Sequence, residues 1–296
     1  MAPNHVVPIL AALAWLSPAV AADPPSPSPA PQAASACTES AGIPTDAFGF
    51  TSGSDVAVKG SFGTSLSYGG GFGARDGRMP LHALQLQGSY GLAPCLEIGP
   101  YLLGGHAGGR IAGAGIDATS GGAGIEMKYR LLGRDLHGIG LTAVVDPSVT
   151  RTDPSGAVPF TGYNTGLRLY ADAALLPGRL FAALNLSQDL SWTGPSPYLR
   201  SSTLTLGGSL AWQVADGLYL SAEARHQRRY ATLGFDKEVG HASFAGPGVF
   251  WQATQALALS AAYNVQLAGH ARGVPGRIDV SNFSQHLVKV KAAYGF

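Results

Sequence analysis

Charged residues are scarce in this chain: Asp, Glu, Lys and Arg make up 12% of the 296 residues, and the formal net charge is +1. This composition excludes a broad basic field that would attract nucleic acid. No stretch reaches the roughly 20 consecutive apolar residues that a membrane-spanning helix needs. Hydrophobic residues nevertheless make up 46% of the chain, which argues against disorder for most of it. If the chain enters a membrane, it does so as strands.

The N-terminus has the features of a secretory signal. Val6 to Leu16 form a short apolar stretch, and Ala19-Val20-Ala21 supplies the small residues that a signal peptidase accepts. We therefore predict a signal peptide over residues 1–21, followed by a Pro-rich periplasmic segment over residues 22–54. The remaining residues, 55–296, are predicted to form one domain.

Turn-like clusters divide this domain into units of about 40 residues, a period that fits two strands joined by one tight turn and followed by one longer loop. Six such units predict twelve antiparallel strands, the first of them at residues 56–68. The clusters are Ala93-Pro94, Gly133-Arg134-Asp135, Pro177-Gly178, Ala215-Asp216-Gly217 and Thr254-Gln255.

Apolar and polar residues alternate along the predicted strands. In residues 201–214, Leu204, Leu206 and Leu210 alternate with Thr205 and Ser209, as expected when one face meets lipid and the other meets water. Aromatic residues on the apolar face fall at two levels, as in the girdles of membrane barrels. One level comprises Tyr68, Tyr163, Trp192 and Tyr230, and the other comprises Tyr90, Tyr129, Trp212, Trp251, Tyr294 and Phe296.

The last strand carries a family resemblance. Val288, Val290, Tyr294 and Phe296 alternate with smaller or charged residues up to a terminal aromatic residue. This pattern resembles the assembly signal of Gram-negative outer-membrane β-barrel proteins. The resemblance implies an all-β fold, a transmembrane antiparallel up-and-down barrel of about 12 strands, with both termini facing the periplasm. It also implies a bacterial outer-membrane location, with outer-membrane lipid, lipopolysaccharide and the barrel-assembly machinery as partners.

Function then depends on the inward face of the barrel. We predict a narrow passive channel for small polar solutes, weakly selective for anions because cations are in excess. The alternative is that these charges pair across the lumen and fill it, which would give a structural or adhesion-type barrel. The predicted lumen residues are Lys59, Glu97, Glu126, Lys128, Arg130, Asp146, Arg168, Asp172, Asp189, Glu223, Arg225, Arg229, Lys289 and Lys291.

The chain has two cysteines. Cys37 precedes the predicted barrel and Cys95 lies beside its first periplasmic turn, so both are expected on the same side of an oxidising compartment. A disulfide would pin residues 37–54 to the barrel rim. The alternative is a pair of unbonded thiols.

A third functional hypothesis is an outer-membrane lipid hydrolase. His241 and Ser243 are two residues apart on one strand face, where a histidine can activate a serine. Outer-membrane lipid hydrolases show a similar His-x-Ser pair, but Phe244 stands where those enzymes have Asn, and no third group orients His241. We therefore predict that the protein is not an enzyme.

Other residues at the rim of the predicted barrel are expected to contact lipid or solvent and not to take part in catalysis. A group on the outward face near the cell surface is placed to contact lipopolysaccharide phosphates, although solvation is an equally good interpretation. We predict no cofactor and no metal site. The group consists of His82, His106, His226, Arg228 and His286.

Overall fold

The computed structural model describes residues 43–74, 79–111, 114–194 and 198–296. Within these residues it contains twelve strands and one short helix, α1 (Arg134–His137). The strands are β1 (Phe62–Gly73), β2 (Met79–Ala93), β3 (Leu96–Ile111), β4 (Ala114–Leu132), β5 (Ile139–Pro154), β6 (Phe160–Leu176), β7 (Leu180–Thr193), β8 (Leu199–Ala215), β9 (Leu218–Tyr230), β10 (Glu238–Gln252), β11 (Leu257–Ala271) and β12 (His286–Gly295).

The strands form one closed barrel. Each strand pairs antiparallel with the next, and β1 pairs with β12, where Tyr68 faces Val290. The predicted fold class, a twelve-stranded antiparallel up-and-down barrel, is therefore confirmed. Closure leaves no free sheet edge, so the backbone groups of the wall are satisfied within the wall.

The two ends of the barrel differ. At the turn end, β6 to β7 and β8 to β9 are joined by tight turns in which Gly178 and Gly217 each adopt a φ of 69°, a conformation that glycine accepts without strain. The opposite end, here called the loop end, carries the connection from β11 to β12. We call residues 272–285 of that connection the inner loop.

The outer face is apolar over the height of the wall. Leu102, for example, exposes 62% of its surface, and leucines from other strands are about half exposed. The aromatic residues predicted at the turn end are all exposed on this face. At the loop end Tyr163 is exposed, but Tyr230 is 4% exposed because its ring packs against Phe235 at a centroid distance of 5.9 Å. Tyr230 is therefore not part of an exposed girdle.

The first strand begins at Phe62, six residues later than predicted. Before it, residues 43–61 run inside the barrel without regular secondary structure, and we call them the lumen segment. Its junction with β1 is a tight corner in which Gly60 has a φ of 84° and donates a hydrogen bond to Gly91 O at 2.8 Å. Residues 43–54, which were predicted to belong to a periplasmic segment, thus lie inside the barrel and are enclosed by its wall.

Candidate functional site in the barrel lumen

The lumen segment is bonded to the wall on four sides. On β12, the Lys291 ammonium lies 2.8 Å from an Asp46 carboxylate oxygen, and Lys289 donates to Gly49 O at 2.9 Å. Both lysines were predicted to face the lumen. They fix the first turn of the segment against one side of the barrel.

Three backbone amides fix the rest of the segment. The N–H of Thr51 donates to Glu223 on β9 at 2.6 Å, and the N–H of Ser54 donates to Asp172 on β6 at 2.5 Å. The N–H of Ala57 donates to Glu97 on β3 at 2.7 Å. Because β3, β6, β9 and β12 are three strands apart in the closed order, these bonds and those of the lysines lie on four sides of the lumen. Hydrogen bonds to ionised acceptors are stronger than neutral ones.

A charged cluster surrounds Asp55 near the turn end. Its carboxylate pairs with Arg130 of β4 and with Arg134 of α1, and Arg134 also pairs with Asp172. Burial raises the pKa of the Asp55 carboxyl, and the two guanidinium groups oppose that rise. For Arg134, burial disfavours the charge, but Asp55 and Asp172 outweigh it and raise the pKa of the guanidinium. The cluster ties the lumen segment to both wall and turn.

Asp46 is held in its charged form. Burial alone would raise the pKa of its carboxyl, but the positive charges of Lys291 and Lys289 outweigh burial and lower that pKa to about 2. The Asp46–Lys291 pair therefore persists at neutral pH. Since its side chains are 17% and 24% exposed, the pair is only partly shielded from water.

A small apolar contact completes the attachment. Phe48 is fully buried, and its cluster lies near the turn end of β7 to β10. The buried members of the cluster are Ile43, Ala47, Phe48, Phe181, Ala183, Ala211, Tyr219 and Phe250. The apolar contact is thus confined to one side, whereas polar bonds surround the segment.

Polar cavities remain around the lumen segment. One of about 680 Å³ at the turn end and one of about 370 Å³ beside β12, β1 and β2 share Asp46 and Lys291 in their linings. A third, of about 310 Å³ on the loop side of the segment, shares Tyr170 and Lys289 with the second. The three cavities therefore follow one another along the segment from the turn end toward the loop end.

Most of the predicted lumen charges are brought together as ion pairs. Lys128 bridges Glu97 and Glu126, both at 3.1 Å, and Arg168 bridges Asp146 at 2.7 Å and Asp189 at 3.2 Å. Such bridges occupy the interior with neutralised charge.

Three of the predicted basic residues have other surroundings. The Arg225 guanidinium lies over the Phe50 ring, 4.9 Å from its centroid, and Arg229 donates to Asn282 O at 3.4 Å. Lys59 is exposed in the corner before β1, where its backbone bridges to Gly91. It therefore stands apart from the other predicted lumen residues.

Several functional residues were missed from the sequence. Asp46 and Asp55 were assigned to a linker or its junction, and Arg134 was interpreted only as part of a tight turn. The available signal was Phe48 and Phe50, two aromatic residues in a segment that was interpreted as solvated. An apolar side chain of that size favours burial, and for Phe48 the barrel lumen provides that burial.

The cysteine and signal-peptide predictions extend beyond the described residues. Cys95 is buried in the β2–β3 turn with a φ of 65°, whereas Cys37 and residues 1–21 lie outside the described part of the chain. The disulfide and the signal peptide remain predictions. At the C-terminus, the Phe296 ring lies 5.4 Å from Phe62 and 4.8 Å from Tyr294, next to the seam of the barrel.

The histidine–serine pair is arranged differently from the hydrolase hypothesis. Glu238 bonds with His241 Nδ1 at 2.8 Å, so a carboxylate does orient His241, contrary to the expectation from the sequence. Ser243 Oγ, however, bonds with Nδ1 of His226 at 2.9 Å. Arg228 Nε donates to His226 Nε2 at 3.3 Å, so in the neutral ring the proton is on Nδ1 and Ser243 accepts it. A general base must instead accept the serine proton. This geometry does not activate Ser243.

The described residues lack two further features. No group of three or more His, Cys, Asp or Glu side chains in them is arranged to hold a metal ion. Among the same residues, no helix is long and apolar enough to cross a membrane.

Solved structures share this fold. The beta domain of the Bordetella autotransporter BrkA is 16% identical, with a TM-score of 0.56 over 80% of this chain and 99% of that domain. The translocator domain of the autotransporter NalP from Neisseria meningitidis is 12% identical, with a TM-score of 0.52 over 80% of this chain and 87% of that one. An outer membrane channel from Pseudomonas putida F1 is also 12% identical, with a TM-score of 0.50 over 86% of this chain and 99% of that channel. The similarity confirms the predicted resemblance to outer-membrane β-barrels as a resemblance of fold.

Sequence comparison assigns the chain to a family without a known activity. No curated protein sequence matches it. A family model does match residues 43–296, a range that contains the lumen segment as well as the barrel. The chain therefore belongs to the family of unknown function DUF6662.

Proposed function

We propose that this protein is a narrow outer-membrane channel for small polar solutes, in which the lumen segment controls passage. The observation that carries the proposal is the series of three polar cavities around the segment, which share Asp46, Lys291, Tyr170 and Lys289. A barrel that served only as structure would have no need of a polar route along its filling.

The way the segment is held also favours a controllable closure. Around the lumen its partners on the wall are carboxylates, ammonium groups and a guanidinium group, and only the Phe48 side is apolar. Water replaces polar bonds of this kind at a modest net cost, because each typically contributes about 0.5–3 kcal/mol. A segment held in this way exchanges more readily with solvent than one held by a continuous apolar core.

The outer face supports placement in the outer membrane. Its apolar band meets an aromatic girdle at the turn end, as the membrane interface favours. At the loop end Tyr68 OH bonds with His82 Nδ1 at 2.8 Å, and Tyr263 OH bonds with His286 Nδ1 at 2.7 Å. Together with Arg228, these outward groups have the chemistry to contact lipid phosphates.

A reversible lock between the lumen segment and the wall tests the proposal. A Cβ atom built on Gly207 of β8 would lie 3.4 Å from the Thr51 hydroxyl, which is close enough for a disulfide between cysteines at these two positions. We expect the oxidised double variant Thr51→Cys/Gly207→Cys to show fewer or smaller single-channel steps in a planar bilayer. Reduction should restore the steps, because the segment is then free to move.

The matched controls are the two single-cysteine variants under the same oxidant, since the chain already contains Cys37 and Cys95. Folding of every variant is checked by the mobility shift of the unboiled barrel on a gel. Steps of equal size in the locked and unlocked forms would show that the segment does not control passage. Silence from folded wild type in both redox states would contradict the channel itself.

A further inference from the structure

The cavity on the loop side of the lumen segment is lined by two cations that have no direct carboxylate partner in the described part of the chain. It measures about 310 Å³, and its lining includes Arg168, Arg225, Lys289 and Asp189. Arg168 is neutralised there by Asp189 and by Asp146. Within the described residues, neither Arg225 nor Lys289 forms a direct ion pair with a carboxylate, although Glu223 attracts both of them from a greater distance.

The neighbouring acids are already engaged. Glu223, two residues from Arg225 on β9, accepts the Thr51 N–H at 2.6 Å and also a hydrogen bond from the Asn264 side chain. The nearest carboxylate of the lumen segment, Asp46, is bonded to Lys291. Both acids attract cations of the cavity from a distance, but neither forms a direct ion pair with Arg225 or Lys289.

An unpaired hydroxyl group lines the same space. The Thr51 hydroxyl oxygen is buried and has no hydrogen-bond partner in the described part of the chain. Asn185, Thr205 and Gln227 also line the cavity, but the Gln227 amide donates to the Thr205 hydroxyl at 3.2 Å and the Asn185 amide bonds to the backbone of Ser52. Two cations beside a free hydroxyl are an arrangement that recognises a small oxyanion, because guanidinium and ammonium groups form charge-assisted hydrogen bonds to carboxylate and phosphate.

We propose that this cavity binds a small oxyanion, a carboxylate or a phosphate, between Arg225 and Lys289. Its volume lies at the lower end of the range for small-molecule sites, which favours a compact ligand. The proposal rests on the proposed channel function and names the class of solute for it. The ligand enters from the loop end and meets this site where Phe50 and Thr51 of the lumen segment form part of its lining.

The same two cations hold the lumen segment, which links the ligand to the gate. Arg225 lies over the Phe50 ring, and Lys289 donates to Gly49 O. A bound oxyanion competes for both groups, since an anion is a stronger partner than a ring face or a neutral carbonyl. Ligand binding therefore loosens residues 49–51, and the solute promotes its own passage.

The test measures binding and segment motion on the full chain in detergent, without reference to current. Inorganic phosphate and acetate are titrated by calorimetry, with glycerol as the neutral comparison. Hydrogen exchange of the amides of residues 49–51 is followed with and without phosphate. We expect phosphate or acetate to bind, and exchange at these amides to become faster.

Three variants decide the site. Arg225→Gln and Lys289→Gln should each weaken binding about tenfold or more, as expected for loss of a hydrogen bond to a charged group. The matched control Arg229→Gln removes the same charge from the same face of β9, nearer the loop end, and should keep the binding and the exchange response. Equal loss in all three variants would indicate a diffuse field and overturn the site, as would the absence of anion binding by folded wild type.

The outcomes separate this inference from the channel proposal. Anion binding that depends on Arg225, together with current that the disulfide lock leaves unchanged, would keep the site and reject the gate. Current that responds to the lock while no anion binds would keep the channel and reject the oxyanion site.

Discussion

Two segments fill the barrel, and they are attached in different ways. The lumen segment bonds to wall residues that are distant in sequence: Thr51 to Glu223, 172 positions away, and Ser54 to Asp172, 118 positions away. The inner loop, residues 272–285, bonds mainly to itself and to the neighbouring strands. Asp279 accepts the N–H groups of Ser281 at 3.1 Å and Asn282 at 2.9 Å.

The difference indicates which segment can move. The inner loop is tied at both ends to adjacent strands, and the Phe283 ring packs on Phe244 of β10 at 6.4 Å. Among the described residues, the lumen segment continues into β1 and has backbone hydrogen bonds to Gly91 of β2 at that corner. Its other attachments are hydrogen bonds and ion pairs with side chains of the wall and the apolar contact of Phe48. It can detach as a unit without breaking a ladder bond of the wall, as expected for a region of low local stability.

The largest effect should come from removing the central anchor of the lumen segment. Asp172 is buried, binds the Ser54 N–H and hydroxyl, and pairs with Arg134. Asp172→Ala leaves Arg134 with Asp55 as its remaining carboxylate partner, so we expect the docking of the segment to weaken by about 3 kcal/mol. Hydrogen exchange across residues 43–61 in the full chain measures this loss.

Two controls isolate the cause. The double variant Asp172→Ala/Arg134→Gln removes the uncompensated charge and should recover part of the loss. Asp153→Asn changes an exposed carboxylate at the loop end and should leave exchange of the segment unaltered. If Asp172→Ala accelerates exchange in the wall strands as much as in residues 43–61, the segment does not detach independently.

The barrel was predictable because its pattern is local and repeated. Each wall strand alternates Leu and other apolar residues outward with polar residues inward, as at Leu206 beside Thr205, and the turns recur at regular spacing. Strand bounds were least accurate at the start, where residues 56–61 have strand-like side chains. The Ala57 N–H donates to the Glu97 side chain and not to a neighbouring strand. Because Glu97 is distant in sequence, this bond leaves no local signal.

The candidate site was only half predictable. Inward-facing charges such as Arg225 and Lys289 follow from strand alternation, so the lining residues could be named. The partners of Arg130 and Lys291 could not be named, because Asp55 and Asp46 reach the wall from a segment without periodicity. The burial of the inner loop was not predicted for a similar reason, since Asp279 is buried by its own turn and not by a strand face.

A smaller effect should follow from acid. The pKa of Asp46 is lowered to about 2 from its ordinary value of 3.8, so its contribution is complete above about pH 4 and is lost as the pH falls toward 2. At full strength this contribution is about 2 kcal/mol. We expect exchange of residues 43–49 to accelerate in that window more steeply in wild type than in Asp46→Asn.

The comparison with Asp46→Asn is needed because other carboxylates titrate in the same range. The Asp55 carboxyl affects stability with the opposite pH dependence, because burial raises its pKa. Asp55 is the same in wild type and in Asp46→Asn, so its effect cancels in the comparison. The inner loop has no share in the Asp46–Lys291 pair, so its exchange should follow the same curve in both proteins. Identical acid profiles for residues 43–49 in the two proteins would rule out the Asp46–Lys291 pair as an anchor.

The smallest effect is expected in the inner loop. Asp279→Asn keeps one carbonyl oxygen for the Ser281 and Asn282 amides but removes the charge that strengthens those bonds, at a cost of about 1 kcal/mol. Asn282→Ala is the matched control, because it removes the bond from the Asn282 side chain to Asp279 but keeps the Asp279 carboxylate and the two backbone amides that it accepts. Exchange should accelerate at residues 279–282 and stay unchanged in the lumen segment, because the two segments are anchored to different groups. Faster exchange in residues 43–61 of Asp279→Asn would mean that the inner loop and the lumen segment are coupled. The lumen segment would then not be a separate gate.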